Sequence, residues 1–264
     1  MIRRMVFLGV ALVGLSFAAQ SAAQEVLFAY EFEAGSSHRY GVKLNQEMDF
    51  GGGALGQIAD FEVTVKCLSV TDGKAAMEMK FDKADMSRSM FGNMAADPLA
   101  EAIVGVAVLY TVDNTGEVTD IKQSGYSEAW DQLQPFVEPL VKNWYVPLPG
   151  KAHAPGAGWE QTKKDKGAGG MDVSTTATYK FKEMKKQGAR ECAAVNCTTE
   201  SVLSGQSINA MGTFSVDGDG KGKVEFLFDP AAHLIVKLKA NMSVDMQLNE
   251  SPAAVTYQLE RELL

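Results

Sequence analysis

Residues 232 to 248 alternate in polarity almost without interruption. Ala232, Leu234, Val236, Leu238, Ala240, Met242, Val244, Met246 and Leu248 share one parity. His233, Lys237, Lys239, Asn241, Ser243, Asp245 and Gln247 take the other, with Ile235 the single misfit. A period of two assigns a β-strand with one dry face and one wet face. At roughly 3.3 Å per residue it would run on the order of 50 Å, against about 17–20 Å for an ordinary strand. A strand of that length calls for a tall, strongly bent antiparallel sheet wrapped around an apolar interior.

The rest of the chain follows the same plan. Val26–Glu33 and His38–Phe50 read as a hairpin turned at Ala34–Ser37, and Ile58–Val70 with Lys74–Asp82 as a second turned by Thr71-Asp72-Gly73. An Asp-Gly pair suits a tight turn because it tolerates positive φ. Val106–Val112 and Glu117–Ile121 form a third hairpin. Asp97-Pro98 opens a short helix that Gly105 closes. Ser127–Trp144 is a second helix, with Trp130, Leu133, Val137, Leu140 and Val141 on one stripe, although Pro135 and Pro139 argue against a straight one.

Pro, Gly and Ala crowd residues 146–158, which divide a β-rich half with helices (24–145) from a second β half (159–264). The second half is expected to continue the same sheet. Its strands are Val173–Met184, Ala189–Thr199, Ser207–Val216, Lys223–Phe228, the long strand and Val255–Leu263, with a turn at Asp217-Gly218-Asp219-Gly220. The last motif faintly resembles a calcium loop, but Lys221 sits where an oxygen ligand is wanted and Phe228 where a Glu is wanted.

The N-terminus carries an address. Arg3 and Arg4 precede the apolar run Met5–Phe17, which at about 13 residues is shorter than the roughly 20 a membrane span needs. Ser21-Ala22-Ala23 completes a secretory signal peptide, residues 1–23, cleaved after Ala23. Its loss removes two positive charges and no negative one, taking the formal charge from −8 to −10. A secreted, acidic chain is a poor nucleic-acid ligand. No later apolar run reaches spanning length, so no transmembrane segment and a periplasmic or secreted location are expected.

Three cysteines in an oxidising compartment leave at least one without an intramolecular partner. Cys192 and Cys197 would lie about 16 Å apart on one flat strand, whereas a disulfide spans about 4.4–6.8 Å. Either the chain turns between them, or one bridges to Cys67, or all three are buried thiols.

Met77, Met79, Met86, Met90 and Met94 form a dense group, and the last three would share a helix face. Thioethers can bind Cu(I), but no Cys or His lies nearby. The segment 86–94 therefore reads as adaptable apolar cover. His38, His153 and His233 stand outside any catalytic or zinc motif, so neither an enzyme nor a metal or other cofactor is expected. Lys163, Lys164, Lys166, Lys180, Lys182, Lys185, Lys186 and Arg190 concentrate positive charge in residues 163–190. That stretch suits a solvated strand face, or contact with an anionic surface or an envelope protein.

Several landmarks recur together. Gly35-Ser36-Ser37-His38-Arg39-Tyr40 opens a strand, followed by Val112-Asp113-x-x-Gly116-x-Val118, Pro147-Leu148-Pro149, Gly158-Trp159, and Gly220-x-Gly222 before Phe228-Asp229. The set resembles a broad class of secreted bacterial β-sheet proteins similar in shape to the lipoprotein-carrier fold. That resemblance implies a half-open antiparallel barrel with helices on its concave side, in a Gram-negative envelope.

The reading is thus a mainly β (α+β) protein: a large curved antiparallel sheet or half-open barrel. Helices near 97–105 and 126–144, with segment 86–94, would cover the concave face. The expected role is non-catalytic binding or carriage of an apolar, lipid-like ligand, the alternative an envelope structural or interaction module. Met86, Met90, Met94, Leu234, Val236, Leu238, Met242 and Met246 are the candidate ligand contacts.

Overall fold

The computed structural model describes residues 25–125, 127–167, 170–209 and 212–264. The leader lies outside the described residues. A short strand β1 (Val26–Phe28) precedes two long ones, β2 (Ser37–Asp49) and β3 (Ala54–Thr71). Then come β4 (Lys74–Met90), β5 (Asn93–Ala96), α1 (Leu99–Ile103), β6 (Ala107–Asp113), β7 (Val118–Ser124) and α2 (Trp130–Lys142). The second half holds β8 (Lys151–His153), β9 (Gly158–Lys166), β10 (Asp172–Gln187) and β11 (Arg190–Asn209). It ends with β12 (Gly212–Asp229), β13 (Leu234–Leu248) and β14 (Ser251–Leu263).

Among the described residues one 12-stranded antiparallel sheet runs β7-β6-β4-β3-β2-β14-β13-β12-β11-β10-β9, with β5 added to β4. The C-terminal strand lies between the halves, and the Leu264 N–H donates to the Arg39 carbonyl at 2.9 Å. The sheet is not closed; β7 and β9 are its free edges. Helix α2 reaches both, packing on β7 and pairing Lys142 with Asp165 of β9 at 2.7 Å. Its buried stripe is Leu133, Val137 and Val141, and both prolines lie on its exposed side. There the carbonyls that the missing N–H groups leave free can be met by water. None of the described helices is long and apolar enough to cross a membrane.

Two buried clusters line the inner face. One joins β2, β3, β4 and β6 to α1 and α2 through Val42, Phe61, Val63, Met79, Phe81, Ile103 and Leu133. The other lies on β10–β13 and is filled by Val26, Phe28, Tyr30, Val146 and Leu148. Burying a side chain of this size contributes about 1.5–3 kcal/mol, so these clusters dominate the stability of the sheet.

The structure corrects three expectations. Val26–Phe28 does not pair with β2; it pairs with β8, from the Pro/Gly-rich segment, in a separate two-stranded ribbon. Phe28 needs an interior and finds one against Trp159, Phe181 and Phe228 at ring distances of 5.1–5.4 Å. The Met-rich segment is not a helical cover: it completes β4 and turns into β5. The Asp217–Gly220 motif is not a turn but lies within β12, paired on both sides. By contrast the Asp72-Gly73 hairpin stands as read, with φ of +49° and +76°.

Candidate functional site

The long strand β13 carries five of the eight candidate contacts. Along β13 the even-numbered side chains from Leu238 point inward; Leu238 and Ala240 are buried, and Met242, Val244, Met246 and Leu248 are half-buried. The Ile235 misfit marks a β-bulge. Leu227 pairs with Lys237 but Phe228 pairs with Ile235, so Val236 is the extra residue. A bulge inverts the parity before it. Ile235 therefore joins the inner cluster, whereas Leu234 and Val236 pack on the opposite side with Cys192 and Leu227.

Opposite the half-buried stretch, β12 presents glycine at alternate positions: Gly218 faces Met246, Gly220 faces Val244 and Gly222 faces Met242. A methyl group on Gly218 would meet Met246 Cβ at 2.7 Å, and one on Gly220 would meet Val244 Cγ2 at 3.1 Å. The two methionines and the valine lean over bare backbone. Beside them in register stand Ala253, Val255 and Tyr257 of β14, then Met48 of β2 and Leu55 of β3. Met242, Val244, Met246, Leu248, Val255, Met48 and Leu55 are half-buried and belong to none of the buried clusters. Together they form an apolar strip along one end of the inner face, and the open trough there, which takes in Gly218, Met246 and Ala253, is lined as well by Asp49, Asp217, Asp219 and Asp245.

The predicted contacts thus separate. Leu238, Met242 and Met246 lie along one face of β13, leading into the trough. Leu234 and Val236 sit across the bulge, and Met86 is locked in the core of the first half. Met90 and Met94 are exposed, 58% and 56%, at the β4–β5 hairpin. The chain turns between them, so Met94 pairs with Ser89 and faces away from Met90, and both lie past the covered part of the sheet.

At the end of the sheet where β2 starts and β14 finishes lies a small cavity of about 40 Å³, bounded by Tyr30, Tyr40, Trp144, Tyr145, His233 and Arg261 among others. Arg261 is 5% exposed. Its Nη1 donates to the Trp144 carbonyl, its Cζ lies 4.4 Å from the Trp144 ring centre and 5.6 Å from that of Tyr40, and its buried Nε has no partner. Burial pushes the phenols of Tyr30, Tyr40 and Tyr110 above their ordinary value, and that of Tyr257 up to about 12, with the Arg261 charge opposing each rise. Sequence reasoning missed this residue. The signal was there: Arg261 is the one charge on the parity Val255, Tyr257, Leu259, Leu263.

Ser36, His38 and Glu31 line the same cavity, with Glu31 Oε2 3.5 Å from His233 Nε2. Among the described residues no hydrogen bond joins Ser36 to either imidazole, and no group of His, Cys, Asp or Glu is arranged to hold a metal ion. Cys67, Cys192 and Cys197 are buried free thiols. Burial drives the Cys197 thiol up to about 11. Lys163 lies on the same side of β9 as Trp159 and pairs with Asp165, and Lys166 on the other side pairs with Asp172, whereas Lys164, Lys182, Lys185 and Lys186 form no ion pair among the described residues.

No protein-family model matches the sequence, and no curated protein matches it. Among solved structures, lipovitellin, described for its lipid–protein interactions, aligns over 89% of this chain at 10% identity with a TM-score of 0.53. This chain spans 25% of lipovitellin's length, and the likeness is one of fold. A putative outer membrane lipoprotein-sorting protein domain from Vibrio parahaemolyticus aligns over 86% of this chain and 85% of its own, at 8% identity and a TM-score of 0.19. A DUF1329 family protein from Desulfovibrio piger aligns over 86% of each chain, also at 8% identity, with a TM-score of 0.23.

Proposed function

We propose that the protein is a non-catalytic periplasmic binding or carrier protein for an apolar, lipid-like ligand held in the trough. One observation carries the reading. Met242, Val244, Met246, Leu248 and Val255 form a contiguous apolar surface that neither core covers, and the glycines of β12 make room for the methionine and valine side chains to lie across the neighbouring strand. Burying an acyl chain there would gain about 0.8 kcal/mol per methylene. Thioether side chains adapt to such a chain without a fixed shape. The secretory leader read from residues 1–23 supports the envelope location.

Native mass spectrometry of protein purified from its own envelope tests the proposal. A co-purifying lipid, released by the trough variant described below, is the expected result. A ligand-free protein that also fails to take up a fluorescent fatty acid would overturn it.

A second reading has its own support. The edge strand β9 carries Lys163, Lys164 and Lys166, and Lys182, Lys185 and Lys186 extend the charge along β10. An envelope interaction module would use that surface against an anionic partner, and binding would then fall steeply with salt while the trough variant left it intact.

A further inference from the structure

Arg261 poses a problem that the trough does not solve. A guanidinium taken out of water costs several kcal/mol unless it is paired and its donors are met. Among the described residues it forms no ion pair; its one acceptor is the Trp144 carbonyl, and one face rests on the indole. The Nε edge of the fork is left over, buried and without an acceptor. The same residue lines the cavity of about 40 Å³. By the measure in which one water needs about 10–15 Å³, that is room for a group of three or four heavy atoms.

The cavity's other walls suit a small anion. Tyr40, Tyr145, Trp144, Val65 and Met77 line it with largely apolar surface, and Ser36 and His38 add polar groups, while the His233 ring is taken up by the Ala29 carbonyl and Glu31. Glu31 is the one acidic residue lining it; it stands at the exposed mouth and faces His233. A planar guanidinium with one edge free matches the two oxygens of a carboxylate better than it matches a spherical ion.

We infer that this cavity is a binding site for a small carboxylate, held by the side of the Arg261 guanidinium that Trp144 leaves unpaired, against the Trp144 and Tyr40 rings. The site opens at the end of the sheet where β2 begins and does not depend on the trough reading.

Titration of the full mature chain with sodium acetate, followed through the ¹H–¹⁵N resonance of Arg261 Nε, tests it. Sodium chloride is added in matched steps as the control. A saturable shift with acetate and none with chloride is expected. Ala232→Leu, which fills the cavity from its wall while keeping Arg261, should abolish the shift, and Arg261→Lys should weaken acetate binding at least tenfold as read by calorimetry. No saturable shift in the wild type, an equal response to chloride, or an undiminished shift in a folded Ala232→Leu protein would each overturn the assignment. If Ala232→Leu does not fold, the acetate-against-chloride contrast in the wild type decides alone.

Discussion

Arg261 lies over the indole of Trp144, 4.4 Å from the ring centre, and donates to the carbonyl of the same residue. Trp144 stands just beyond the end of α2, and Arg261 lies on the strand that joins the halves of the sheet. The pair therefore ties the helix that reaches both sheet edges to the middle of the sheet. Arg261→Met removes a charge-assisted hydrogen bond and a cation–π contact but also relieves a buried cation. The expected net loss is about 1–3 kcal/mol, read from urea unfolding midpoints; an unchanged midpoint would show that the tie carries no stability.

The glycine strip should be graded in its tolerance. A Cβ on Gly218 would meet the Asp245 carbonyl oxygen at 2.6 Å, and backbone cannot swing aside. On Gly220 the nearest atom is the end of the Val244 side chain at 3.1 Å. Gly218→Ala should therefore cost about 1–3 kcal/mol, the range for overpacking, and Gly220→Ala under about 1 kcal/mol. Equal losses in paired denaturation curves would contradict the described register.

Val244→Asp places a charge in the middle of the trough, at a position half open to water. Folding stability should change by about 1 kcal/mol, since the carboxylate can turn to solvent. Uptake of a fluorescent fatty acid should drop at least about tenfold, because an acyl chain in contact would strip that water. Retained uptake would place the ligand elsewhere.

Alkaline pH should destabilise the protein from about 9 upward. Burial raises the Cys197 thiol from 9.0 to about 11 and the Tyr257 phenol from 10.0 to about 12. Below pH 9 both native and unfolded chains keep these protons, and the stability is fully present. Above it the unfolded chain releases protons that the native one retains, so stability falls as pH rises through 9 to 12. Urea midpoints at pH 8, 9.5 and 11 should decline in that order. A thiol reagent at pH 8 should label none of the three cysteines until the chain unfolds.

Much of the architecture was legible in residue order because period two is a local property. Strand β13, the Asp72-Gly73 hairpin and the Leu133–Val137–Val141 stripe all follow from spacing within a few turns or pleats. The bulge left its trace too: Ile235 broke the alternation because the parity inverts there, and reading it as noise put Leu234 and Val236 on the wrong side. The glycines of β12 misled for a different reason. Asp-Gly repeats serve turns and crowded sheet faces equally, and only the neighbours Met242, Val244 and Met246 distinguish the two.

What the sequence determined by itself is a large, bent antiparallel sheet with a dry inner face, since alternation over so many residues has no other stable outcome. What the tertiary structure decided is which part of that face stays open. Val26–Phe28 leaves its sequence neighbour to fill the second half from inside, the methionines at 90 and 94 pass out to the rim, and Arg261 ends up buried against Trp144, a residue 117 positions away. Each depends on a contact between distant segments, and such contacts are chosen by how much apolar surface the whole chain can bury, a quantity no local pattern contains.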